Sequence, residues 1–171
     1  MRFVIDVGKC IDCGGCWVAC KDINDVETGI ERIRIVTLNE GKTGEKSVPI
    51  QCFHCDHPAC MLVCPQEAIT KRDDGIVLVN QDKCVGCRYC LWACPYGTPQ
   101  FKKMGSVMEK CTYCVERIDS GLRPACGGFC ATKAIFVGKS ASEADAKASS
   151  IGAARVKGPT NPDAAYKGVT L

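Results

Sequence analysis

No stretch of this 171-residue chain approaches the roughly 18 consecutive apolar residues of a membrane-spanning helix. Apolar runs such as GIVLV at 75–79 are short, so no direct membrane insertion is expected. The opening MRFVIDVGKC meets the first cysteine at Cys10, which leaves no room for a secretory signal. The expected location is therefore cytoplasmic, unless a partner that carries a signal takes the chain out. Catalytic signatures are missing as well. There is no G-x-S-x-G, no phosphate-binding loop and no G-x-G-x-x-G. The formal charge is only +3, which gives no support to a nucleic-acid partner.

Cysteine is the opposite case. Sixteen are present, against two histidines. They fall into four groups of four with none left over. Group one is Cys10, Cys13, Cys16 and Cys20, in C-x2-C-x2-C-x3-C spacing. Group two is Cys52, Cys55, Cys60 and Cys64. Group three is Cys84, Cys87, Cys90 and Cys94. Group four is Cys111, Cys114, Cys126 and Cys130. A disulfide scaffold would need an oxidising compartment. A zinc-bearing structural or nucleic-acid module is the alternative of a different class, but a C-x2-C-x2-C triplet is an awkward source of one closed tetrahedron. The triplets suit cubane iron–sulfur clusters. Each oxidised [4Fe–4S] site with four thiolates carries about −2, so four of them would turn the chain to about −5.

The groups repeat. KCIDCGGCWVAC resembles KCVGCRYCLWAC, and HPACMLVCPQEAI lines up with RPACGGFCATKAI. The chain reads as a duplication with halves near 1–73 and 74–139. In each motif the last cysteine lies about one helical turn beyond the triplet loop and projects away from it. It should serve another cluster, as in two-cluster bacterial ferredoxins. A proline after that cysteine turns the chain back. Groups two and three have it, in Pro65 and Pro95. Groups one and four have Lys21 and Ala131, which predicts less constrained exits.

Between Cys64 and Cys84, two strand-like pieces flank DDG at 73–75 and predict a hairpin. That segment resembles the link between the two motifs of an ordinary ferredoxin, so groups two and three should form one module. Groups one and four form the other by elimination, with RFVID and AIFVG pairing as a terminal two-stranded sheet. The expected fold class is α+β: two interleaved bacterial-ferredoxin-like modules, duplicated and loop-rich, with a C-terminal extension. Module A takes 1–50 and 98–139, module B takes 51–97, and 140–171 is a tail.

All four motifs, in order and spacing, resemble the four-cluster electron-transfer subunits of molybdenum- and tungsten-pterin oxidoreductases, over about residues 1–139. The resemblance implies four [4Fe–4S] clusters and no catalytic residue. It implies four ligand sets: Cys10, Cys13, Cys16 with Cys130; Cys111, Cys114, Cys126 with Cys20; Cys52, Cys55, Cys60 with Cys94; and Cys84, Cys87, Cys90 with Cys64. It also implies a large catalytic subunit with pterin-bound tungsten or molybdenum as partner, and beyond it a further redox subunit or a neighbouring copy. A tungsten aldehyde oxidoreductase-type partner is favoured, because the chain is short and without an anchor. A formate dehydrogenase or hydrogenase comes second and a free polyferredoxin third. Ala131 departs from the proline of many relatives.

Around the clusters, His54 and His57 are expected as loop residues or hydrogen-bond donors to sulfur. Trp17 and Trp92, at equivalent repeat positions, are expected to pack against clusters. Gly14, Gly15 and Gly86 let the backbone approach sulfide. Arg88 is expected in solvent or as a tuning charge. In the tail, SASE is a capping box that predicts a helix over 142–149. Beyond Gly158 the composition cannot build its own core. The tail is either a frayed end or a docking arm anchored by Ile151, Val156, Tyr166, Val169 and Leu171.

Overall fold

The computed structural model describes residues 2–102 and 106–171. Strand β1 (Arg2–Asp6) is buried along its whole length and pairs antiparallel with β6 (Ile135–Gly138), Phe3 opposite Val137. These are the RFVID and AIFVG segments, joined as expected. The DDG hairpin is also present, as β4 (Ile69–Lys71) against β5 (Val77–Val79). Asp74 caps it by accepting from the Ile76 N–H at 3.1 Å. A second hairpin, β2 (Ile33–Leu38) with β3 (Lys46–Gln51), adds cover to the core formed by Phe3, Ile5, Ile33, Val48, Phe53 and Tyr113.

Short helices follow the cysteine loops. They are α1 (Gly15–Ile23), α2 (Ala59–Leu62), α3 (Tyr89–Ala93), α4 (Val115–Asp119) and α5 (Ala125–Gly128). Their caps repeat with the sequence. Left-handed Gly14 and Arg88 precede α1 and α3, and Pro58 and Pro124 precede α2 and α5. Asp12 and Gly86, His54 and Tyr113, and Glu67 and Lys133 are further matched pairs with positive φ. Arg88 takes its left-handed turn (φ 68°) with a full side chain, so that turn does not demand glycine.

Two expectations need correction. The exit after Cys20 is not loose. Helix α1 runs on to Ile23, and the Lys21 ammonium donates to the carbonyl of Ile30 at 2.6 Å and of Glu27 at 3.3 Å, fixing the loop that a proline would otherwise turn. Nor is the tail a frayed end. Helix α6 (Ala141–Ile151) begins at Ser140, whose hydroxyl accepts from the Glu143 N–H. The chain then forms β7 (Ala154–Arg155) and β8 (Ala164–Lys167), and β8 lies parallel to β1 in a sheet of order β6-β1-β8-β7. Tyr166 is 2 % exposed and its hydroxyl donates to the Pro49 carbonyl at 2.7 Å. Buried Arg2 holds Asp163 at 2.6 Å and also pairs with Asp145. The tail also holds the group-two loop: the Asp163 N–H donates to Phe53, and the Asp56 and His57 N–H groups donate to Asn161 and Thr160. Val156 and Tyr166, expected as anchors for a partner, are buried inside this chain. The physical reason is that β1 presents a buried, unpaired edge, which β8 satisfies.

Candidate iron–sulfur centres

The α1 and α5 helices carry cysteines at both ends of one turn. Cys16 and Cys20 lie on α1, and Cys126 and Cys130 lie on and just after α5. The fourth cysteine of each motif therefore faces away from its own triplet and toward another. Cys10 has Cys13 and Cys130 as charge neighbours, and Cys16 has Cys10 and Cys130. Cys20 has Cys114, and Cys126 has Cys111, Cys114 and Cys20. Asn24, one turn beyond Cys20, points its amide at Cys20 Sγ (3.8 Å) and Cys114 Sγ (3.5 Å), which ties group one to group four. One cavity is lined by Cys52, Cys55, Cys60 and Cys94, and another by Cys64, Cys84, Cys87 and Cys90. The structure thus brings Cys52, Cys55, Cys60 and Cys94 to one cavity and Cys64, Cys84, Cys87 and Cys90 to another, and it places cysteines of groups one and four beside each other.

The residues present fit the clusters. All sixteen cysteines are free thiols despite their density. Among the described residues no three His, Cys, Asp or Glu side chains converge on a single metal ion. Zinc holds sulfur at about 2.3 Å in a compact tetrahedron. Here the sulfurs of groups two and three stand around two cavities, as a larger four-iron body requires, and soft thiolates select such a body.

Burial pushes the Cys16, Cys20, Cys55 and Cys90 thiols up to about 11, and Cys60 up to about 12. These groups keep their protons unless iron displaces them, so loading releases protons. Cys130 differs. Burial raises it, but the N–H groups of Ile135, Ala134 and Thr132 and the Thr132 hydroxyl together outweigh burial and hold it below its ordinary value.

Donors to sulfur are distributed over the sets. The N–H groups of Ala68, Met108, Tyr113 and Ala134 reach Cys64, Cys84, Cys111 and Cys130 at 3.2–3.5 Å. The Thr160 hydroxyl donates to Cys55 Sγ at 3.2 Å. Asn24 and Thr160 are absent from the sequence expectations. Asn24 had a usable signal, its helical spacing of four from Cys20. Thr160 had none, because it lies 105 residues from its sulfur.

His57 is an exposed loop residue, but His54 is not. It is 1 % exposed, accepts from the Val77 N–H on Nδ1 at 3.0 Å, and stacks on Tyr113 with ring centroids 4.2 Å apart. Burial holds it neutral, well below its ordinary value. Tyr113 stacks in turn on Phe3 at 4.4 Å. The two tryptophans part company. Trp17 is half-buried against the core with Lys21 over its ring, whereas Trp92 is 85 % exposed. Arg88 lines the Cys64/Cys84/Cys87/Cys90 cavity and lies over Phe101, so it is a wall of that site and not a free side chain.

The family model of the 4Fe-4S dicluster domain matches residues 45–140. The formate dehydrogenase iron-sulfur subunit of Wolinella succinogenes is 44 % identical over 163 residues, covering 82 % of this chain and 82 % of that one. The chain belongs to the 4Fe-4S dicluster family. A component of the anaerobic dimethyl sulfoxide reductase of Escherichia coli is 39 % identical, over 80 % of this chain and 72 % of its own length. A component of the tetrathionate reductase of Salmonella typhimurium is also 39 % identical, over 79 % of this chain and 56 % of its own. This dicluster protein is thus an iron–sulfur electron-transfer subunit of the molybdopterin oxidoreductases, a carrier of four [4Fe–4S] clusters and not a catalytic subunit. No helix among its described residues is long and apolar enough to cross a membrane.

Proposed function

We propose that the four cysteine sets are the ligand sets of the four clusters, and that they lie in a row through two interleaved modules. The observation that carries this reading is the crossing of cysteines between groups. Sets Cys10/Cys13/Cys16/Cys130 and Cys20/Cys111/Cys114/Cys126 share α1 and α5. Sets Cys52/Cys55/Cys60/Cys94 and Cys64/Cys84/Cys87/Cys90 share α2 and α3. Between the pairs, Cys111 has Cys52 as a charge neighbour. The β1–β6 pairing and the β4–β5 hairpin support module A as 1–50 with 98–139 and module B as 51–97. The tail clasps the two together.

Bound clusters supply one-electron transfer. The chain's own residues hold them at fixed separation, shield them from water, and donate N–H and O–H groups to sulfur. The catalytic chemistry belongs to a large partner with a molybdenum- or tungsten-pterin. Relatives named for formate, dimethyl sulfoxide and tetrathionate enzymes are 39–44 % identical to the chain. The substrate is therefore a property of the partner, and a formate dehydrogenase-type subunit is the first to test, ahead of an aldehyde oxidoreductase. Exposed Leu62, Val85, Tyr89 and Trp92, on and beside α2 and α3, support burial against another subunit. The test is anaerobic purification of the native complex. The reading expects about sixteen iron and sixteen acid-labile sulfide per chain, together with a large subunit bearing pterin and molybdenum or tungsten. Zinc without sulfide would overturn the reading.

A further inference from the structure

Lys110 is a buried charge with only carbonyl partners among the described residues. It is 3 % exposed. Its ammonium donates to the carbonyl of Val77 and, at 3.0 Å, to that of Cys111. Among the described residues it has no carboxylate within ion-pair reach. The neighbouring Glu109 is taken by Arg32 (2.6 Å) and Gln81 (2.9 Å). Lys71, on the same hairpin as Val77, has Asp56 at 3.5 Å. A buried cation with carbonyl partners alone is costly, because carbonyl dipoles offset only part of the lost hydration.

Its position supplies the missing compensation. Val77 lines the cavity of Cys52, Cys55, Cys60 and Cys94, and Cys111 belongs to the set with Cys20, Cys114 and Cys126. The ammonium therefore bridges the wall of one site and a ligand of the next. Each loaded site carries about −2 and gains one more negative charge on reduction. A fixed cation between two such sites stabilises the reduced form of both. The outer sets lie one site further along the row, where the attraction is weaker.

We propose that Lys110 is a fixed charge at the junction between the modules that raises the reduction potentials of the two inner clusters together, so that an electron rests more favourably on the inner pair than on the outer clusters. This rests on the ligation proposed above. Lys110 is a positioning residue for charge, not a ligand.

The test is an EPR-monitored redox titration of the anaerobically purified full-length chain beside Lys110→Met, Lys110→Gln and Lys110→Arg, with iron and sulfide measured on each. The expected result is that two of the four reduction equilibrium constants fall at least tenfold in both neutral variants, about 59 mV for one electron. The other two should move by less than a third of that, and Lys110→Arg should keep wild-type values. Unmoved potentials, or equal movement of all four, would overturn the proposal. Loss of iron from the neutral variants would also overturn it, because it would make Lys110 a structural clamp. A wild-type chain well short of about sixteen iron would overturn the ligation reading, and this inference with it.

Discussion

Removing residues 158–171 should damage the iron–sulfur core, although none of those residues is a cysteine. The cut takes away β8, and with it the only parallel partner of β1 among the described residues. It uncovers Phe3, Ile5 and Tyr113 and removes the Thr160 hydroxyl from Cys55. The single change Tyr166→Ala isolates the largest part of this. Tyr166 is fully buried against Phe53, with ring centroids 6.1 Å apart, and truncating such a ring costs about 3–5 kcal/mol. That is a large share of the about 5–15 kcal/mol that holds a typical domain together. At about 2–4 °C per kcal/mol for a chain of this size, the apparent Tm should fall by about 6–20 °C. Tyr166→Phe loses only the bond to Pro49 and strands one carbonyl, about 1–3 kcal/mol. The assay is anaerobic heating, followed by loss of the brown cluster absorption and by released iron. The truncated chain should bleach first. A truncated chain with full iron and an unchanged transition would refute the view of the tail as an internal clasp and restore the free docking arm.

Other outcomes follow from single contacts. Asn24→Leu removes an amide donor from Cys20 and Cys114 Sγ. It should lower one cluster's potential and leave the iron content intact, as read by redox titration. Arg88→Gln removes a cation from the wall of the Cys64/Cys84/Cys87/Cys90 cavity, so one potential should fall there and the other three stay put. Gly138→Val should cost stability outright. Even a Cβ at Gly138 would stand 2.8 Å from the backbone nitrogen of Ala144, which pushes α6 off the sheet, and a lowered Tm in thermal melts would show it.

The sequence was most legible where a local pattern carries its own meaning. DDG foretold the hairpin, because a turn needs only its own few residues. The β1–β6 pair followed by elimination, once groups two and three were assigned to one module. The tail was illegible because its buried strand is AAYK, whose alanines read as low-hydrophobicity filler until β1 lies beside them. Trp17 and Trp92 occupy equal places in the repeat but differ in their surroundings: Trp17 packs against the core under Lys21, and Trp92 faces outward. A duplicated motif fixes ligands but not neighbours. His54 is a loop residue as expected, but its burial was illegible because its cover, Tyr113, comes from a different cysteine motif, far along the chain. Lys21 looked like a missing proline. Its long side chain instead makes, through two carbonyls, the turn that proline makes by constraint.

The central claim is crossed ligation. The most direct measurement is an iron-edge anomalous map from anaerobically grown crystals of the native complex. Four four-iron bodies should appear in a row. Cys20 should touch the body held by Cys111, Cys114 and Cys126, and Cys130 the body held by Cys10, Cys13 and Cys16. Cys20 bound to the same body as Cys10, or single metal ions in place of four-iron bodies, would contradict the account.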